Sequence, residues 1–275
     1  MVLKKVGTLA ILVSIGGGIA RADLAYTTRV SIGDGRNIET KTYMKGTSIR
    51  TETSGRVTIT DGSRTYLINP EKKTYSVVSN SKLESTGNPM AEQFNQMVDV
   101  KLDVSVKPGG KTRTIMGKPA KNYLYKMTMR MSFKPGSGPK NAAGTGPMRL
   151  PVIQTSGETW TTEALPSPPK SVAAMNPGAA LRSMGMLGGT AKKAADSFQK
   201  IKGFPLASTA TQKFSGGNIP GMDGKDRNMV VKMSVADLKT TPLDAGLFAA
   251  PKGFRQVPYE PPTLPGMSGM GGGGM

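Results

Sequence analysis

Cysteine and histidine are both absent from the 275 residues. Without them the Ser-His-Asp and Cys-His nucleophile systems and the usual zinc sites fall away together. The chain must fold without disulfides, and it offers no thiol for lipobox-type lipid attachment. Core material is lean as well: hydrophobic residues make up 37%, aromatics 5%, and Trp160 is the single tryptophan. Acidic residues are scarce, with 18 Asp and Glu against 37 Lys and Arg, a formal net charge of +19. That excess favours anionic partners, or serves to keep an outer sheet face solvated, since no run of more than two adjacent basic residues occurs.

What is plentiful is Gly (35), Pro (20) and Met (18), which implies many turns and some length outside regular structure. Lys4 and Lys5 precede an apolar run that ends at Ala20-Arg21-Ala22, the pattern of a signal peptide over residues 1–22 cleaved after Ala22. The rival reading is an uncleaved anchor, but the run falls short of the ~20 residues a span requires and contains Gly16-Gly17-Gly18. No later stretch reads as membrane-spanning. Export to the periplasm or beyond is the expectation, with phospholipid headgroups, lipopolysaccharide or wall polymers rather than nucleic acid as the anionic partners.

The central stretch, residues 61–78, reads as a hairpin. Tyr66 and Ile68 share one side, Tyr75 and Val77 share it after the turn, and Pro70 belongs between the strands. Residues 24–61 break into short alternating strands at Gly33-Asp34-Gly35, Lys45-Gly46 and Ser54-Gly55, so that a meander of about six strands is expected. Asn88-Pro89 opens a short helix whose Met90, Phe94 and Met97 should lie on the sheet. Val100, Leu102, Val104 and Val106 alternate with polar residues until Pro108-Gly109-Gly110 ends that strand, and residues 111–117 form another.

The strongest alternation is Tyr123, Tyr125, Met127, Met129, Met131 and Phe133 on one side against Lys126, Thr128, Arg130 and Ser132 on the other. Strands over residues 152–161, 204–214 and 228–239 follow. Residues 171–202 read as two short helices, the second with Ala191, Ala194, Ala195 and Phe198 on one side. Flexible insertions are expected near residues 135–147 and 178–189, and a disordered Gly, Pro and Met tail over residues 259–275. Residues 23–258 thus read as a single domain.

Several short motifs recur in a telling order. They are Met44-Lys45-Gly46 with Ile49-Arg50, the hairpin of residues 61–75, Ile115-Met116-Gly117-Lys118-Pro119-Ala120 with Tyr123, and Gly157-Glu158-Thr159-Trp160. Lys202-Gly203-Phe204-Pro205-Leu206, the run from Pro242 to Phe248, and Pro251-Lys252-Gly253-Phe254 complete them. In these the chain resembles an uncharacterised family of secreted bacterial proteins sharing the fold of the periplasmic lipoprotein carriers of LolA and LolB type. The resemblance implies an α+β, mainly antiparallel β fold: a strongly curved half-barrel sheet with short helices on its concave side. It also implies an apolar cavity for acyl chains, and it brings no catalytic motif and no cofactor.

The one-sided alternation names the residues expected to line such a cavity: Tyr125, Met127, Met129, Met131, Val231 and Met233. The competing reading is that the methionines fill a plugged core, making the protein a structural or sensor module of the envelope. Glu158 and Glu163 are carboxylates with nothing in the sequence to bring them together, so no enzyme activity is expected. The glycines of residues 216–224 lack the strand and helix context of a phosphate loop. Met267, Met270 and Met275 have a spacing that Cu(I) could use, a third reading.

Overall fold

The computed structural model describes residues 23–33, 35–85, 95–136, 149–166, 194, 196–217 and 227–259. The expected signal peptide, nearly all of both insertions, the tail from residue 260 with its methionines, and the residues Met90, Phe94, Ala191 and Ala195 lie outside the described residues.

Among the described residues twelve strands make one sheet. In chain order they are β1 (Leu24–Ile32), β2 (Arg36–Lys45), β3 (Ser48–Thr53), β4 (Arg56–Asp61), β5 (Arg64–Asn69), β6 (Thr74–Ser79), β7 (Val98–Ile115), β8 (Lys118–Phe133), β9 (Val152–Thr162), β10 (Phe204–Ser215), β11 (Arg227–Lys239) and β12 (Arg255–Gln256). Their spatial order is β12-β6-β5-β4-β3-β2-β1-β11-β10-β9-β8-β7. Every pairing is antiparallel except the two-residue β12, which lies parallel to β6. The first six strands are the expected meander, and β5 with β6 is the expected hairpin: Tyr66 lies opposite Val77 and Ile68 opposite Tyr75. A short helix, α1 (Asn80–Ser85), follows the hairpin, and residues 95–97 and 196–198 are also helical.

The sheet is open, since β12 and β7 end its strand order without meeting, and it is curved. Tyr26 of β1 and Phe204 of β10 meet edge to face at 5.1 Å between ring centroids, although β11 lies between their strands. In a flat sheet two strand spacings amount to roughly 9.5 Å. Bulges help the bend: register shifts fall between Ala25 and Thr27 and between Pro205 and Ala207. The core built around this curl contains Leu24, Tyr26, Met44, Ile49, Trp160, Phe204, Leu206 and Val235.

Two expectations are corrected. Pro108-Gly109-Gly110 does not end a strand; β7 runs through it for 18 residues, its register against β8 shifting between Pro108 and Thr112. Two local features allow this. β7 is an edge strand, where a missing N–H costs no ladder bond. Asn122 fills the bulge, its Oδ1 accepting from Lys111 N–H at 2.9 Å, and any side chain at Gly109 would collide with its carboxamide. Secondly, Met97 is 41% exposed, so it does not belong to a helix face lying on the sheet.

Candidate functional site

Residues directly opposite one another on paired strands present their side chains to the same face. Cross-strand rows can therefore be followed over β7–β11. One row runs Val106, Tyr125, Gly157, Ala210, Val231, Ile32; its neighbour runs Val104, Met127, Thr155, Gln212, Met229; the next begins Leu102, Met129, Ile153. This is an apolar face. Four β7 residues, Val100, Leu102, Val104 and Val106, lie opposite Met131, Met129, Met127 and Tyr125 in turn.

Of the six residues named from sequence, all lie on this face by register, but they do not form one cluster. Tyr125, Met127 and Met129 pack together with Ala194 and Phe198. Met233 packs instead into the core around Tyr26 and Phe204. Met131 lies half-buried beside Val100, and Val231 half-buried between Ala210 and Ile32.

The geometry around Tyr125 explains the first group. Its ring meets that of Phe198 edge to face at 5.6 Å. It lies over Gly157, where a Cβ would come within 2.7 Å of the phenol and 2.5 Å of the Thr209 carbonyl. Glycine is thus required at 157 to let the ring lie flat across β9. Burial raises the phenol pKa of Tyr125, opposed by a hydrogen bond with Ser208. Thr155 Oγ1, in the row of Met127, is buried without a partner among the described residues.

The opposite face of the same strands holds a cleft that sequence reasoning missed. Two further cross-strand rows form its floor: Trp160, Ala207, Ser234, Arg29, Glu39, and beside it Glu158, Thr209, Lys232, Ser31, Asn37. The cleft encloses about 670 Å³, within the range of about 300–1,000 Å³ usual for small-molecule sites. Met233 reaches its border from the intervening row.

Arg113 closes one end of the cleft. Its guanidinium lies over the Trp160 ring at 4.0 Å from the centroid, reaching across Ala120 of β8. Trp160 is 6% exposed, and its Nε1–H has no partner among the described residues. At the other end Arg29 pairs with Glu39 at 3.1 Å and Asp237 at 3.7 Å. Glu158 and Glu163 do not form a pair; Glu163 lies 3.6 Å from Lys121. The described residues contain no cluster of acidic side chains able to hold a metal ion, and no helix long and apolar enough to cross a membrane.

Fold and site together define an open, curled antiparallel sheet with an apolar face under a short helical turn and a polar, cleft-bearing face behind it. No family model and no curated protein matches the chain. Solved structures similar to it include an uncharacterized conserved protein from Thermus thermophilus, 12% identical, with 88% of this chain and 92% of that one covered and a TM-score of 0.35. A LolA superfamily protein from Nitrosomonas europaea is 8% identical over 84% and 91% of the two chains, TM-score 0.25. LprF from Mycobacterium bovis is 7% identical over 85% and 90%, TM-score 0.27. The architecture rests on the strand order itself and not on overlap at these TM-scores.

Proposed function

We propose that this is an exported, non-enzymatic protein that binds an apolar or lipidic ligand, or the acyl chains of a lipidated partner, on the apolar face of β7 and β8. The observation that carries this reading is the paired strip in which Val100, Leu102, Val104 and Val106 face Met131, Met129, Met127 and Tyr125. Its β7 half is only half-buried. An apolar strip left partly open is a site for something greasy. Thioether side chains adapt to ligands of varied shape, which suits a carrier better than a receptor for one compound. Phe198 packs edge to face on Tyr125 and joins the strip's cluster, so it would contact a chain bound there.

Native mass spectrometry of the protein purified from its own envelope, before and after delipidation, tests the reading. A lipid-sized adduct that disappears on delipidation is the expected result. A single unliganded mass in both samples supports the plugged structural module instead.

A further inference from the structure

We infer that the polar face of β7–β11, centred on the cleft beneath Arg113 and Trp160, docks this protein on the anionic surface of a lipid bilayer. The +19 charge of the chain is not spread evenly, and the register shows where part of it gathers. Lys107, Lys126, Arg113 and Lys232 all leave from this face and are exposed, as does Lys101, which lies directly opposite Arg130. Like charges placed opposite one another destabilise a sheet unless something neutralises them.

The carboxylates of this face are fewer than its cations, and two of them are already paired; Asp99, opposite Ser132, is exposed without an ion pair among the described residues. Asp103 is held by Arg130 at 2.7 Å, and Glu39 by Arg29 at 3.1 Å. Glu158 is the cleft carboxylate that has no ion pair among the described residues. Lys101, Lys107, Lys126 and Lys232 have no acidic partner there, and the contact of Arg113 is the indole face of Trp160. Charge complementarity therefore selects a polyanionic surface. The cleft adds a concavity of about 670 Å³ with Arg113 at one end and Lys232 in its floor, room for a phosphate-bearing headgroup.

Lysine and arginine near an anionic bilayer contribute roughly 1 kcal/mol each, and the attraction is screened within a Debye length. The inference stands apart from the lipid-binding proposal. It uses the other face of the sheet, and either can fail without the other.

The chain carries its own reporter, because its single tryptophan lies at the cleft. The full-length protein is titrated with phosphatidylglycerol–phosphatidylcholine vesicles and with pure phosphatidylcholine vesicles, reading co-sedimentation and Trp160 emission. The expected result is binding to the anionic vesicles alone, with an emission change. Binding should fall at least tenfold between about 50 mM and about 500 mM salt. Lys232→Gln and Lys126→Gln should each weaken it about fivefold, the value of ~1 kcal/mol. Both are exposed substitutions that leave the fold intact, and Met129→Glu on the opposite face should leave docking unchanged. Equal binding to both vesicle types, or binding indifferent to Lys126→Gln and Lys232→Gln, would overturn the inference. So would retention by immobilised polyglutamate with no binding to the anionic vesicles, which would point to an acidic protein surface instead.

Discussion

The two wings of this sheet carry their covered hydrophobic clusters on opposite faces. Over β7–β11 the apolar face carries Tyr125, Met127 and Met129 under Phe198, and the reverse face is polar. Over β3–β6 the register puts Thr51, Thr58, Thr60 and Thr65 on the continuation of that apolar face, together with the buried Ile49 and Val78. There the hydroxyls of Thr60 and Thr65 bond at 3.2 Å, and Thr65 Oγ1 donates to Asn80 at 2.7 Å. The other side of this wing holds a hydrophobic cluster of its own: Val57, Ile59, Ile68, Tyr66 and Tyr75, covered by Phe248 and Phe254.

The cover of the second wing comes from the end of the chain. Asp23 accepts from Leu243 N–H at 2.9 Å and from Lys45 Nζ at 3.0 Å, while Lys45 also donates to the Leu243 carbonyl at 2.7 Å. Beyond this clip a 3-10 turn, Ala245–Phe248, begins at Asp244, and Arg50 donates to the Leu247 carbonyl at 3.1 Å. β12 then pairs with the edge strand β6, which shields that edge from pairing elsewhere. One wing is thus closed by its own chain, whereas the other keeps a partly open apolar strip. The difference separates structure from site: the sealed wing is ballast for the open one.

The largest expected effects come from removing the cover or core of each wing in turn. Phe198→Ala should cost about 3–5 kcal/mol and Ile59→Ala about 2–5 kcal/mol, read as a fall in denaturant midpoint. The two changes should part company in ligand binding, which only Phe198→Ala alters. Equal effects on binding would dissolve the distinction between the wings.

Next in size is Gly157→Val, where the added carbons meet Tyr125 and the Thr209 carbonyl; about 1–3 kcal/mol should be lost. If Tm is unchanged, the phenol does not lie across β9 as described.

A smaller effect concerns acid. The Leu243 N–H first, and the Lys45 ammonium second, hold the Asp23 carboxyl below its ordinary value of 3.8. A carboxylate favoured by folding contributes its stability above the unfolded value and loses it as pH falls through the lowered folded one. Asp23→Asn should therefore lower stability near neutrality and flatten the loss below about pH 3.8. An acid limb identical to that of the parent would place the clip elsewhere.

Much of this was legible in the sequence, because alternation and tight turns are local. The β1–β6 meander, the hairpin and the long alternation of β8 are all read from neighbours in the chain. Two signals misled. Pro108-Gly109-Gly110 looks like a terminator unless Asn122, on the following strand, is known to fill its bulge. Met97 has helical spacing from Phe94, yet its side chain is exposed rather than buried against the sheet.

The cleft was hidden for a different reason. Its rows cross β9, β10, β11, β1 and β2, and the pairing of β1 with β11 joins the two ends of the domain. No periodicity reports that Arg29 faces Ser234, nor that Arg113 crosses Ala120 to reach Trp160. The spacing of Phe248 and Phe254 likewise carries no sign that they seal the back of β4–β6.

The most direct test of the open strip is equilibrium binding of a fluorescent fatty acid to the parent protein and to Met129→Glu, with thermal unfolding measured on both. Met129 is half-buried and central to the strip, so a carboxylate there should weaken binding at least tenfold while the fold persists. Unchanged affinity in a folded Met129→Glu protein would contradict the account.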